Sequence, residues 1–236
     1  YNYCERWCSM NFKLVLDYIK KLPERTIIVA REMYLEQFAA LSFQTFLKYI
    51  ERIVQKNILM VIGKGIYCRP ITTPFGILRV SDNELKEYFT NGNCNGVEVG
   101  YGLYNKYKLT TQISKNIKVY SNKANYNVQK IGNVQVKRCA YSSDLRFAIE
   151  CMEILENYNT IEDLKKETFY RFCEEIGCKY SEDSFLKVFG FGFYKKRTLA
   201  FLNYILNCFQ TENNLDRYLN ATSRYKYPKL EGLKVA

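Results

Sequence analysis

The sequence contains no histidine. That excludes Ser-His-Asp and Cys-His catalysis and the HExxH zinc site. Carboxylate or lysine chemistry stays open, but no tight Asp/Glu cluster stands out in the β-rich part of the chain. No stretch approaches the roughly 18 uninterrupted apolar residues of a membrane helix, so no membrane partner is expected. The most apolar early run, Phe12 to Ile19, is broken by Lys13 and Asp17, which makes it a poor signal peptide. Residues 1–9, ahead of Met10 and the first helical pattern, read either as a leader-like remnant or as native chain. Paired short cysteine spacings are missing too. The nine cysteines are an odd number, and Cys4/Cys8 and Cys173/Cys178 lack the zinc form. Reduced, buried thiols in a cytoplasmic protein are expected, with no metal and no cofactor. Long repeats and low-complexity blocks are absent as well.

What is present is positive charge. The formal net charge is +11 and is unevenly spread. Residues 1–80 hold 12 Lys+Arg against 6 Asp+Glu, residues 81–150 hold 10 against 6, and residues 151–236 hold 13 against 12. A basic chain without a membrane segment most often meets nucleic acid, whose phosphates supply the affinity. A lysine-rich composition also arises from an AT-rich genome, so charge does not decide the matter.

Apolar periodicity gives the expected elements. Phe12, Leu14, Val15, Tyr18, Ile19 and Leu22 share one helical face, and Pro23 ends that helix. Thr26 to Val29 is a short β-rich run, and Arg31 to Phe38 a second helix. Ser42 caps a third helix running to about Lys56. Phe43, Phe46, Leu47, Ile50, Ile53 and Val54 are its expected buried stripe. Gln44, Thr45, Lys48, Tyr49, Arg52 and Gln55 are its expected outer face. Two β-rich runs, 58–62 and 66–69, flank Gly63-Lys64-Gly65 as a hairpin. Helix, strand, helix, helix, hairpin is the winged-helix order, in which the third helix enters the major groove and the wing touches the neighbouring backbone.

The chain is therefore expected to be α+β. A winged helix-turn-helix spans 10–70, a mixed α/β domain 71–142, and a helical region 143–225, with packing of the last on the middle domain left open. In the middle part, Ser81 to Glu84 fits a capping box, Val97 to Val99 is extended, and strands run through 117–120, 128–131 and 134–137. Helices are expected at 143–157, 160–176, 182–189, 195–210 and 213–220, with a loose tail from Tyr225. Gly100-x-Gly102 lacks the full GxGxxG phosphate pattern. Thr110, Thr111 and Gln112 read as satisfying backbone groups in a turn.

These residues carry a resemblance. Gly63-Lys64-Gly65-Ile66-Tyr67-Cys68-Arg69-Pro70 resembles the wing signature of AbiEi-like antitoxins. Phe75-Gly76-Ile77-Leu78, Ser81, Gly100 to Asn105, Leu109-Thr110-Thr111-Gln112, Val119 to Asn122 and Ile131-Gly132 continue it over roughly residues 11–155. The resemblance implies a bacterial, phage-defence-type regulator that represses its own operon as the antitoxin of a type IV toxin–antitoxin system. It also implies a nucleotidyltransferase toxin nearby, countered functionally rather than in a stable complex. The expected partner is double-stranded DNA, the chain's own operator in repeated half-sites, bound by a homodimer or cooperatively. Ser42, Gln44, Thr45, Lys48, Tyr49 and Arg52 on the third helix, with Lys64 and Arg69 on the wing, are the expected DNA contacts. No catalytic residue is expected. The alternatives are a module that binds a toxin or other protein directly, and a metal-dependent nuclease.

Overall fold

The computed structural model describes residues 2–230, with side chains from residue 10 onward. The protein is mixed α+β. Its residues group into two compact units, one holding residues up to 88 together with 130–132, the other 89–129 together with 133 onward.

The first unit opens with α1 (Asn2–Lys21), followed by β1 (Ile27–Val29), α2 (Ala30–Gln37) and α3 (Phe43–Gln55). Two hairpins come next: β2 (Met60–Gly63) with β3 (Ile66–Cys68), then β4 (Ile71–Thr73) with β5 (Gly76–Leu78). Strands pair in the order β1-β3-β2, with Ile27 opposite Cys68 and Met60 also opposite Cys68. Three helices cover this small sheet around Val15, Ile19, Ile28, Met33, Phe46, Tyr49, Ile50, Ile53 and Leu59. The elements follow the apolar spacing. Pro23 stops α1, and the Ser42 hydroxyl accepts the Thr45 N–H at 3.1 Å to start α3.

The buried side of α3 is rotated from the expected stripe. Phe43 is 39% exposed, whereas Tyr49 is 2% exposed. At about 100° per residue, Ile53, Phe46 and Ile50 span about 60°, with Tyr49 about 40° beyond Ile53 on one side and Phe43 about 20° beyond Ile50 on the other. Position around the helix therefore does not separate the two: Tyr49 is covered by Phe12 of α1, whereas Phe43 is the first residue of α3. Phe43 still packs edge-on to Tyr34, with centroids 4.9 Å apart.

The capping box forms as the sequence suggests. Ser81 N–H donates to Glu84 Oε2 at 2.7 Å, and Glu84 N–H to Ser81 Oγ at 3.3 Å, opening α4 (Asp82–Thr90).

The second unit contains β6 (Gly96–Val99), α5 (Tyr101–Lys106), β7 (Ile117–Ser121), the first half of β8 (Val128–Ile131), whose last two residues group with the first unit, and β9 (Val134–Arg138). Its sheet runs β6-β7-β9-β8, with β6 antiparallel and β9 parallel to β7. Four helices follow: α6 (Arg146–Asn157), α7 (Lys166–Lys179), α8 (Glu182–Phe189) and α9 (Lys196–Cys208). One core joins them to the sheet, from Val97 through Ile149, Phe169 and Leu202 to Leu230. The helical region thus shares its interior with the strands that precede it. Residues 225–230, expected to be loose, are held in place. Tyr227 stacks on Phe201 at 5.7 Å, Leu230 is buried, and its N–H donates to Tyr204 Oη at 3.1 Å. Tyr227, three residues before Leu230, provides ring area against Phe201 and Tyr204 that anchors this segment.

Among the described residues no helix is long and apolar enough to cross a membrane. The seven cysteines with described side chains are all free, Cys68, Cys139, Cys151 and Cys173 buried, and Cys94, Cys178 and Cys208 exposed. Burial pushes the Cys139 thiol up to about 11 and raises Cys151 and Cys173 as well, which keeps them protonated. Cys4 and Cys8 lie outside the described side chains.

Candidate nucleic-acid interface

Helix α3 carries most of the expected contact residues. Gln44, Lys48 and Arg52 are four residues apart and all exposed, as is Gln55. They fan over about 80° of the helix surface. Glu51, also exposed, lies about 20° beyond Gln44 and widens the fan to about 100°. Among the described residues neither Lys48 nor Arg52 forms an ion pair, so both cationic heads face solvent. Amide and guanidinium groups match base-edge acceptors and phosphates, and a carboxylate accepts from the cytosine amino group.

Three of the expected residues have other work. Tyr49 does not belong to the outer face: it is buried and meets Phe12 of α1 edge-on, with centroids 5.6 Å apart. Its ring area is larger than its one hydroxyl, and the α1–α3 seam takes it up. Ser42 and Thr45 hydroxyls lie 2.8 Å apart and are engaged in the cap. They set where the helix begins, Ser42 accepting the Thr45 N–H and the two hydroxyls sharing one hydrogen bond.

The β2–β3 turn carries Lys64, exposed, with Gly65 at φ +69°. That backbone region favours glycine, and the space around Gly65 is open. Arg69 lies at the other end of the same hairpin. Its N–H donates to the Thr26 carbonyl at 3.0 Å, and its carbonyl accepts from Arg25 N–H at 2.7 Å. Four residues lie between Lys64 and Arg69, a span of at most roughly 17 Å. The two cations therefore stand at opposite ends of β3.

The second unit has a polar cleft that sequence reading missed. Its volume is about 320 Å³, and its lining includes Lys118, Tyr120, Gln135, Lys137, Glu153 and Phe193. Glu153 is buried on α6, where it accepts from Tyr120 Oη at 2.8 Å and Asn157 Nδ2 at 3.0 Å. Desolvation raises its carboxyl above the usual range despite those bonds and the nearby Lys118 and Lys137. Lys137 sits over the Phe193 ring, 3.4 Å from its centroid, and burial lowers its pKa. One turn back, buried Glu150 accepts from Lys106 Nζ and Tyr107 Oη, both at 2.6 Å. No period-2 or period-3.6 pattern announces such pairs, because partners lie 33 to 44 residues apart. The groups satisfy one another, which is what buried charge requires.

Two other motifs resolve into packing. A Cβ on Gly102 would fall 1.9 Å from Glu98 Oε1, so a carboxylate occupies the space where a phosphate would approach. Thr110 Oγ1 donates to the Glu162 carbonyl at 2.7 Å and accepts Gln112 N–H at 3.1 Å, and the Gln112 carbonyl accepts from Asn105 Nδ2 at 2.9 Å. Among the described residues no group of three or more Cys, Asp or Glu is placed to hold a metal ion. No family model matches the chain, and neither does any of the curated proteins.

Proposed function

We propose that the protein is a sequence-specific DNA-binding regulator whose first unit works as a winged helix, with α3 in the major groove and the β2–β3 turn against the adjacent backbone. The observation that carries this reading is the exposed fan of Gln44, Lys48, Glu51, Arg52 and Gln55 on a helix whose opposite side is core. Three helices on a three-stranded sheet, in helix–strand–helix–helix–hairpin order, hold such a helix outward. Gln44, Lys48 and Arg52 contact bases and phosphates, and Lys64 grips a neighbouring phosphate. Ser42 and Thr45 act through the cap, and Arg69 contacts backbone away from Lys64. The protein represses its own operon, binding repeated half-sites as a dimer or cooperatively.

The antitoxin part of the proposal rests on the AbiEi-like segments around 63–70, 75–78, 100–105 and 109–112. In that role the protein counters a nucleotidyltransferase toxin without a stable complex.

The test is binding of the purified protein to the duplex directly upstream of its own coding sequence, against a scrambled duplex, over a salt series. Preference for the upstream duplex, with affinity falling steeply as salt rises, is the expected result. Equal or absent binding to both rejects the repressor and transfers the function to a protein partner.

A further inference from the structure

The β4–β5 hairpin is a second projecting element that the contacts of α3 leave unused. Its register pairs Ile71 with Leu78, Thr72 with Ile77 and Thr73 with Gly76. The tip is built rather than slack. Thr73 Oγ1 donates to the Gly76 carbonyl at 2.8 Å and accepts Phe75 N–H at 3.3 Å. Gly76 holds φ +126°, a conformation that side chains rarely adopt. This arrangement presents Phe75, which is 100% exposed, with Ile77 and Leu78 exposed behind it. A whole aromatic ring held in solvent by a stapled turn is not explained by the core.

The surroundings indicate what it meets. From Arg52 through Ser81 the chain has no Asp or Glu, and it carries Arg52, Lys56, Lys64, Arg69 and Arg79. Arg69 stands two residues before β4 and Arg79 directly follows β5, so the hairpin is bracketed by guanidinium groups. Glu84 pairs with Arg25 beside the base, and an apolar tip whose strands are flanked by two arginines suits a polyanion with a stacked apolar interior. We infer that Phe75 is a wedge that enters the minor groove of duplex DNA and partly unstacks one base step, with Arg69 and Arg79 on the flanking phosphates. Apolar wedges flanked by cations kink DNA in this way, the unstacking cost being offset by wider contact. Sequence preference then arises at easily unstacked pyrimidine–purine steps that α3 never touches. This inference rests on the proposed DNA binding.

The experiment uses the full chain and labelled duplexes of about 30 base pairs, roughly three helical turns, tiled over the DNA upstream of its coding sequence. Permanganate and diethyl pyrocarbonate report unstacked thymines and purines. The expected result is one hyperreactive step with the wild type, lost in Phe75→Ala and kept in Phe75→Leu. Phe75→Ala also weakens binding about 5- to 150-fold, the range for losing one aromatic stacked on a base, with an unchanged unfolding midpoint because the ring is fully exposed. If the wild type binds without any hyperreactive base, or Phe75→Ala binds as tightly, the wedge is wrong. Lys48→Ala and Arg52→Ala still weakening binding would then leave the α3 reading standing. Absence of binding to every tile sinks both. Loss in Phe75→Ala of a co-purifying protein, with DNA binding intact, overturns the wedge and makes the hairpin a protein dock.

Discussion

Helices α3 and α6 have almost the same length, 13 and 12 residues, and both carry charged residues between apolar ones. Their charges do opposite things. On α3, Lys48, Glu51 and Arg52 face solvent, while on α6 Glu150 and Glu153 are 2% and 5% exposed. The α6 carboxylates each hold a tyrosine hydroxyl and tie the helix to α5 and β7. A charge on an amphipathic helix is thus a free contact in one unit and an internal tie in the other. What separates them is whether a second layer of structure closes over the polar side. The sheet and helices α8 and α9 close over α6, whereas α3 has the sheet and two helices on one side only.

The comparison breaks most sharply at Tyr49. If it belongs to the core, Tyr49→Ala lowers stability by about 3–5 kcal/mol, the cost of truncating a buried aromatic, as measured by urea or thermal unfolding. Tyr49→Phe keeps the ring against Phe12 and leaves DNA affinity as it was. Weakened DNA binding with unchanged stability in Tyr49→Ala would return the residue to the interface. Next in size is the exposed fan. Lys48→Ala and Arg52→Ala are expected to cost about 1–3 kcal/mol each in binding, while unfolding midpoints barely move, since surface changes stay within about 0.5 kcal/mol. Unchanged affinity in both variants would remove this face of α3 from the proposed function.

Local signals were legible and paired ones were not. Pro23, the Ser42 cap, Gly63-Lys64-Gly65 and the Ser81–Glu84 capping box each act within a few residues, and each marks an element boundary in the structure. The exposure of Gln44, Lys48 and Arg52 followed from spacing alone. Tyr49 was misplaced because a tyrosine reads as polar or apolar until its neighbour is known, and that neighbour, Phe12, is 37 residues away in the sequence. The same distance effect hid Glu150–Lys106, Glu153–Tyr120 and the docking of Tyr227 on Phe201. Phe75 was readable as part of a motif. Its full exposure was not, because an apolar residue in a β-rich run is normally expected inside.

Smaller effects sharpen the same contrast. Ser42→Ala removes the acceptor for Thr45 N–H and is expected to cost about 1 kcal/mol. If Ser42 instead contacts DNA, binding falls by more than stability does.

The smallest effect is on the other side of the comparison, at Glu153. Burial raises its carboxyl above the ordinary value of 4.5, so the folded protein holds this proton more tightly than the unfolded chain. The group therefore favours folding most at and below the ordinary carboxylate pKa. That contribution is lost as pH climbs through the raised value, because the charged form must then be kept out of water. Glu153→Gln keeps an oxygen for the Tyr120 hydroxyl but cannot ionise. Any change in the bond with Asn157 gives an offset that does not vary with pH. The difference in unfolding free energy between variant and wild type should thus shift in the variant's favour from about pH 4.5 upward, then level off. A difference that stays flat across that window would mean Glu153 is as well solvated in the folded protein as in the unfolded chain. Its bonds to Tyr120 and Asn157 would then be surface contacts of the kind α3 displays, not ties inside a closed layer.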